Sequence, residues 1–202
     1  MSATEVRPQK DRGFAIVSII LGAIGLFASF ELATEYIKTL QQPDYVANCE
    51  ISILVTCGPN MDSPQGSLFG FSNTIIGLIA FVAPILVGVA MLAGARFAAW
   101  FWALYRVGLA LGTVFVFWLF YQSVFYIGTL CPWCMVVWTV MIPLFFFTAF
   151  RPEARGYYNA SPGVSRAFAA LNSWAWVFVL VSYLVIAAVA QFQLDWFAEF
   201  SR

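Results

Sequence analysis

Five long apolar runs restrict what this chain can fold into more than any other feature of the sequence. They cover residues 14–37, 71–92, 107–127, 131–150 and 174–192, and each is close to the ~20 residues that a helix needs to cross a bilayer. Charged residues are only 10% of the chain, against about 25% in a soluble domain. The first run continues well beyond the length of a signal-peptide core, so we interpret it as an uncleaved span. The sequence predicts an all-α polytopic membrane protein with five transmembrane helices.

The positive residues flanking these runs predict an orientation, because Lys and Arg accumulate on the cytoplasmic side of membrane proteins. With the N-terminus inside, eight lie on the cytoplasmic side and two outside. The eight are Arg7, Lys10, Arg12, Arg96, Arg106, Arg151, Arg155 and Arg166, and the two are Lys38 and Arg202. We therefore expect a cytoplasmic tail (1–13), an outer loop (40–70), a cytoplasmic loop (151–173) and an extracytoplasmic tail (193–202). All cysteines then lie on the oxidising side of the membrane.

The composition also excludes several classes of function. The chain has no histidine, which removes Ser-His-Asp, Cys-His and Cys₂His₂ chemistry. Lys+Arg and Asp+Glu balance at ten each, so no basic surplus indicates a nucleic-acid partner. The four cysteines, in two pairs, are the chemistry that remains.

The first pair is Cys131-Pro132-Trp133-Cys134 at the start of the fourth run. Proline favours the first turn of a helix, so both sulfurs are expected at a helix N-terminus, where the dipole favours thiolate. Such a pair can exchange a disulfide through a mixed-disulfide intermediate. An inert disulfide or a zinc site is the alternative, but the other pair is eight residues apart in a loop, unlike the close spacing of zinc ligands.

The second pair, Cys49 and Cys57, lies in the outer loop with an apolar patch between its members. It is either a staple that closes the loop or a mobile shuttle between an external dithiol and the first pair. We favour the shuttle, because a structural disulfide would leave the first pair without an electron source. Glu31 and Glu35 lie near the outer end of the first span, where the helix rise places them at the membrane interface. Arg106 is expected to be an anchor at the inner end of the third span.

Taken together, these motifs resemble the vitamin K epoxide reductase family, in particular bacterial members that oxidise secreted thiol oxidases. The resemblance runs from the first span through the fourth. It rests on the cysteine order, on Ser63-Pro64 after the loop pair, on Leu68-Phe69-Gly70-Phe71-Ser72-Asn73 entering the second span, and on the CxxC that opens the fourth. DsbB-like thiol oxidases have the reverse order, with the CxxC in the first outer loop.

The resemblance implies a four-helix catalytic bundle (14–150) around a quinone, with a peripheral fifth helix (174–192). It implies that Cys49 meets the partner, that Cys57 pairs transiently with Cys131, and that Cys134 faces the quinone. It further implies quinone contacts from three residues, which are Ser63, Asn73 and Trp138. Trp138 stands where animal members carry a tyrosine, and an indole N–H can donate but cannot accept a hydrogen bond.

The expected function is therefore transfer of electrons from an extracytoplasmic DsbA-like protein, through two cysteine pairs, to menaquinone or ubiquinone in a bacterial plasma membrane. Because the chain stops at Arg202, the thioredoxin-like partner is expected to be a separate protein. The alternatives are a membrane protein with two loop-bracing disulfides, and reduction of vitamin K quinone or epoxide.

Overall fold

A computed structural model describes residues 11–42, 44–151 and 161–195 of the chain. Within these ranges the regular structure is helical, with one isolated backbone bridge between Val55 and Leu130. Five of the helical segments are long and apolar enough to cross a membrane. The predicted all-α, five-span fold is confirmed. The predictions for Arg7, Lys10, Arg155, Arg202 and most of the C-terminal tail fall outside the described residues.

The first two spans are α1, Arg12–Gln41, and a second span formed by α3, Asn73–Ala80, with α4, Val82–Leu92. A short helix, α2, Gly58–Asp62, lies in the loop between them. The remaining helices are α5, Ala99–Gln122; α6, Pro132–Ala149; α7, Pro162–Ser173; and α8, Ala175–Leu194. A π-helical turn, Ser123–Ile127, extends α5.

The second span is interrupted at Phe81, between α3 and α4. Pro84 lies four residues after Ala80 and has no N–H to donate to the Ala80 carbonyl, so the helical ladder is interrupted there. The Phe81 ring turns toward α1 and is 4% exposed. The kink therefore places an aromatic ring between the first two spans.

Small residues allow α1 and the second span to pack closely. A Cβ added at Gly88 would lie 2.6 Å from the Ala15 carbonyl oxygen, and one added at Gly25 would lie 2.3 Å from the Phe81 ring. Close approach of backbones at small residues is a common way for helices to associate in membranes, where lipid removes the hydrophobic driving force between them. Side chains larger than glycine at these positions would force the two spans apart.

The first four spans pack side by side in a row that does not close into a ring. The second span packs on α1, α1 packs on α6, and α6 packs on α5, while the second span and α5 have few contacts with each other. The fifth span, α8, packs mainly on α6. Phe178 of α8 stacks on Phe146 of α6 at 5.5 Å, and the Tyr183 hydroxyl donates to the Thr139 carbonyl at 2.5 Å. The predicted peripheral position of the fifth helix is confirmed.

The third span begins at Ala99 rather than near residue 107 as predicted. Trp102 in its first turn is fully buried and lies 6.3 Å from the Phe14 ring, so packing extends the helix toward its N-terminus. Arg106 consequently lies inside α5 rather than at its end. Its guanidinium donates to the Ala149 carbonyl at the last residue of α6, which satisfies a carbonyl that has no partner within its own helix.

The ends of the first and fourth spans farthest from the cysteines are joined by charge. Arg151 forms a salt bridge with Asp11, and its guanidinium lies 4.5 Å from the centre of the Phe14 ring. Asp11 is also the N-cap of α1 and accepts from the Phe14 N–H at 3.4 Å. One carboxylate thus caps α1 and links it to the end of α6.

Candidate active site

The loop between α1 and α3 folds over one end of the bundle. Pro59 falls in the first turn of α2, which follows Cys57. Ser63 ends this helix and caps the next turn, a 3₁₀ helix over Pro64–Ser67: its hydroxyl donates to the Asn60 carbonyl at 2.9 Å and accepts from the Gly66 N–H at 3.1 Å. Predicted as a quinone contact, Ser63 thus also shapes the loop.

A pair of backbone hydrogen bonds attaches the loop to the segment that precedes the CxxC motif. The Thr56 N–H donates to the Leu130 carbonyl at 3.0 Å, and the Leu130 N–H donates to the Leu54 carbonyl at 2.7 Å. Because Thr56 precedes Cys57 and Leu130 precedes Cys131, this bridge places the two cysteines side by side. Gly128, at φ +78°, supplies the left-handed turn between α5 and the bridge.

The four cysteines form one connected group. Cys49 and Cys57 share a disulfide, while Cys131 and Cys134 are free thiols. The Cys57 and Cys131 sulfurs are 3.3 Å apart, which is within the range of reacting atoms poised for attack. Cys57 and Cys131 are fully buried and Cys49 is 4% exposed. The structure therefore brings together all four residues that the sequence singled out.

Cys131 is the N-cap of α6, and Pro132 is its first residue, as the sequence predicted. A hydrogen bond from the Cys134 thiol lowers the pKa of Cys131, as do the backbone N–H groups of Cys134 and Trp133. Burial and the carboxylate of Glu50 act in the opposite direction, and the net direction is down. A lowered pKa favours the thiolate, which is the form that attacks a disulfide.

Glu50 lies beside the loop disulfide. Its carboxylate accepts from the Gly58 N–H at 2.8 Å and from the Thr56 hydroxyl. These bonds join the residue after Cys49 to the residues on either side of Cys57. They brace the ring of chain that the disulfide closes.

A cavity of about 700 Å³ lies between the second span and α5, with α1 and α6 behind it. Its volume is within the ~300–1,000 Å³ of pockets that hold small organic ligands. Cys134 lines it, and none of the other three cysteines, all of which the structure describes, does so. Ser63, Asn73 and Trp138 line the same cavity. The three residues predicted to contact quinone thus line the same cavity as Cys134.

Asn73 and Trp138 each also have a partner within the protein. The Asn73 amide donates to the Gln65 carbonyl at 2.6 Å, and its side-chain oxygen accepts from the Leu68 N–H at 3.3 Å. Trp138 is 6% exposed and packs edge-on against Phe120, with ring centres 5.0 Å apart. Asn73 holds the end of the loop against α3, and Trp138 forms part of the cavity wall.

Asn60 was not predicted as a site residue. Its amide donates to the Thr129 hydroxyl at 2.8 Å, and its side-chain oxygen accepts from the Ser123 hydroxyl at 2.9 Å. It also lines the cavity. Asn60 therefore ties α2 to the end of α5 directly above the cavity. Its partners are more than 60 residues away, and no local pattern in the sequence indicates them.

Glu35, predicted to lie at the membrane interface near the outer end of the first span, is buried within the protein. It is 1% exposed, because the loop folds over it. Its carboxylate accepts from the Tyr45 hydroxyl, the Asn48 N–H and the Lys38 ammonium at 2.8–2.9 Å. The signals available in the sequence were an acidic residue three positions before a lysine and a polar loop close behind it. Glu31, one turn earlier, is half-buried.

Comparison with known families bears on this arrangement. The family model described as "Vitamin K epoxide reductase family" matches residues 16–149, a range that holds all four cysteines and the first four spans. The chain belongs to the vitamin K epoxide reductase family. A comparison with curated protein sequences gives no match. Membership identifies the protein as a multi-pass membrane oxidoreductase that acts through cysteines, in a family that uses quinone. Among the described residues, no three His, Cys, Asp or Glu side chains group as metal ligands.

Proposed function

We propose that this protein is a thiol:quinone oxidoreductase that reoxidises an extracytoplasmic, DsbA-like disulfide-forming protein. The observation that carries the proposal is the order in which the cysteine sulfurs follow one another in space. It runs from the loop disulfide, across 3.3 Å from Cys57 to Cys131, and on to Cys134 at the wall of the cavity. Each sulfur neighbours the next, so electrons can pass by thiol-disulfide exchange alone.

The relay takes place in four exchanges. A thiolate of the reduced partner attacks Cys49 and displaces Cys57, and the partner's second thiol then resolves the mixed disulfide, leaving the partner oxidised. The Cys57 thiolate next attacks Cys131 of a Cys131–Cys134 disulfide and displaces Cys134. Cys49 then attacks Cys57 and releases Cys131 as a thiolate, which can take up a proton. The loop pair is oxidised again, and the CxxC pair holds two electrons.

This product has the same oxidation pattern as the structure, which has a loop disulfide and two CxxC thiols. In this state the two electrons lie beside the cavity. The lowered pKa of Cys131 favours its release as a thiolate, since a thiol of low pKa leaves faster. The pattern is the one expected immediately before an acceptor is reduced.

Quinone in the cavity is the proposed acceptor substrate, and it takes up two electrons and two protons to become quinol. The cavity suits a flat apolar molecule because most of its lining residues are apolar, with a few polar side chains such as Ser63 and Asn73 among them. Asn73 is the proposed hydrogen-bond donor to a quinone carbonyl, and Trp138 is a wall against the ring. The second span and α5 have few contacts with each other. An isoprenoid tail can pass between these two helices and reach the lipid.

The proposed orientation places the cysteine end outside the cell and the Asp11–Arg151 end in the cytoplasm. The excess of Lys and Arg in the segments assigned to the inside supports it. The proposed localisation is the bacterial plasma membrane, with residues 1–13 and 151–173 inside and 193–202 outside. The proposed partner is a thioredoxin-like protein in the oxidising compartment.

Quinone reduction by the purified protein, with a reduced thioredoxin-like protein as donor, tests this function. The unchanged protein should turn over, and Cys134→Ser should abolish turnover with every donor. Cys49→Ser should abolish turnover with the protein donor, while a small dithiol that reaches the CxxC pair directly should still support some activity.

The rival function is structural, with disulfides that only brace the loop. It predicts no turnover with any donor or quinone, and a loss of about 2–4 kcal/mol of stability when the loop disulfide is removed. Lower thermal stability in Cys49→Ser without any measurable quinone reduction in the unchanged protein would establish the structural function instead.

A further inference from the structure

Cys49 is enclosed by the loop and α1. It is 4% exposed and packs in a cluster with Ala47, Met61 and the other loop sulfur, against the partly buried side chains of Tyr36 and Tyr45. A partner's thiolate must reach the Cys49 sulfur in order to attack it. The covering segment must therefore move before electrons can enter.

The two halves of the loop are held in different ways. Residues 54–56 are held by backbone hydrogen bonds to Leu130, which fix Cys57 beside Cys131. Residues 45–48, which cover Cys49, are held by side chains of α1. Glu35 accepts three hydrogen bonds from the segment, and Lys38 donates one to the Tyr45 hydroxyl at 3.4 Å. The loop can consequently open on one side of the disulfide while the other side stays in place.

Three of the four hydrogen bonds that Glu35 accepts come from the covering segment. One carboxylate oxygen accepts from the Tyr45 hydroxyl at 2.9 Å and from the Asn48 N–H at 2.8 Å, and the other accepts from the Asn48 side-chain amide at 3.4 Å. Lys38, on the same helix as Glu35, donates to the second oxygen at 2.8 Å and lies 5.5 Å from the Tyr45 ring centre. Charge-assisted bonds of this kind are about twice as strong as neutral ones.

We propose that Glu35 is a latch that controls the access of external thiols to Cys49, and that residues 45–49 are the gate it holds. The inference rests on the proposed function, in that the opened gate is where the partner's thiolate attacks. Attack at Cys49 displaces Cys57 as a thiolate, and the bridge to Leu130 keeps that thiolate against Cys131. Glu35 is a positioning residue, since it acts through the loop and not on the sulfurs.

The test measures reduction of the loop disulfide by dithiothreitol in the full-length protein. A Cys131→Ser, Cys134→Ser background stops electrons at the loop pair, so the readout does not depend on quinone. Glu35→Gln is compared with Glu31→Gln, a change of the same kind one turn earlier on α1. Tyr45→Phe, which deletes one donor and keeps the ring, is the second variant if Glu35→Gln folds poorly.

We expect Glu35→Gln to speed reduction of the disulfide about tenfold, which corresponds to the loss of one hydrogen bond to a charged group. Tyr45→Phe should speed it by a smaller factor, and Glu31→Gln should leave it unchanged. Amide hydrogen exchange should accelerate at Asn48, while the Thr56 and Leu130 amides keep their protection. General loosening of the fold would accelerate hydrogen exchange at all three amides, those of Asn48, Thr56 and Leu130.

Three results would overturn the latch. The first is an unchanged reduction rate in both Glu35→Gln and Tyr45→Phe, the second is an equal effect of Glu31→Gln, and the third is acceleration of exchange at Thr56 and Leu130 as well as Asn48. A protein that fails to reduce quinone but shows the expected rates in this assay would refute the proposed function and leave the latch standing.

Discussion

Gly108 offers a way to fill the cavity without disturbing the bundle. It lines the cavity from α5, and a Cβ added there meets no atom within 4 Å. Gly108→Leu therefore places an isobutyl group in open space. Glycine is also about 0.8–1 kcal/mol worse than a good helix former inside a helix, so the variant is expected to be at least as stable as the unchanged protein.

The effect on quinone follows from the contacts that the new side chain displaces. The quinone enters from lipid, so the new side chain removes van der Waals contacts of the ligand. If it displaces about a dozen carbon–carbon contacts, at about 0.1–0.2 kcal/mol each, binding weakens by about 1.2–2.4 kcal/mol. At about 1.4 kcal/mol per factor of ten, this is roughly a 7-fold to 50-fold rise in the KM for quinone. Reduction of the loop disulfide by an external thiol should not change, because that step takes place away from the cavity.

The assay is steady-state quinone reduction at several quinone concentrations, with the rate of loop reduction measured separately. Gly13→Leu is the matched control, because Gly13 is exposed, lies in α1 away from the cavity and also has no atom within 4 Å of an added Cβ. A well-folded Gly108→Leu protein with the KM of the unchanged protein would show that quinone is reduced elsewhere.

Three further predictions concern the sulfurs and the bundle. Because its pKa is lowered, the Cys131 thiolate should persist below the pH at which an ordinary cysteine protonates, and Cys134→Ala should move that transition to higher pH, measured by thiolate ultraviolet absorbance. Gly88→Leu should lower the melting temperature, since overpacking costs about 1–3 kcal/mol and the new Cβ would meet the Ala15 carbonyl; an unchanged melting temperature would contradict the close approach. Asp11→Ala should cost about 1–2 kcal/mol through loss of a helix cap and an ion pair, and denaturant unfolding would show it.

The features that the sequence predicted correctly are those that depend on local patterns. Each apolar run of about 20 residues carries its own evidence for a span. Pro132 beside Cys131 indicated the start of α6 without reference to any other segment, and the structure begins the helix there. Positions within the family's motifs could likewise be assigned in order along the chain.

The features that the sequence did not predict depend on contacts between distant segments. Whether Glu35 faces lipid, water or protein depends on where residues 45–48 fold, and no periodicity in α1 contains that information. The early start of α5 depends on Phe14, which packs against Trp102. Asn60 resembles an ordinary loop residue until Ser123 and Thr129 are placed around it.

The loop is held by backbone hydrogen bonds to Leu130 on one side and mainly by the Glu35 side chain on the other. This difference determines which steps of the proposed relay a substitution can change. The bridge that sets the Cys57–Cys131 distance is made of backbone groups of Leu54, Thr56 and Leu130, which every residue other than proline supplies, so most substitutions there leave the sulfurs in register. The segment that covers Cys49 is held by side chains, and one substitution at Glu35 removes three of its four hydrogen bonds to α1. Under the proposed mechanism, access for the electron donor can therefore be tuned by single substitutions while the distance for sulfur exchange stays the same. With one anchor made of backbone groups and the other of side chains, substitutions can change access for partner proteins without changing the internal sulfur exchange.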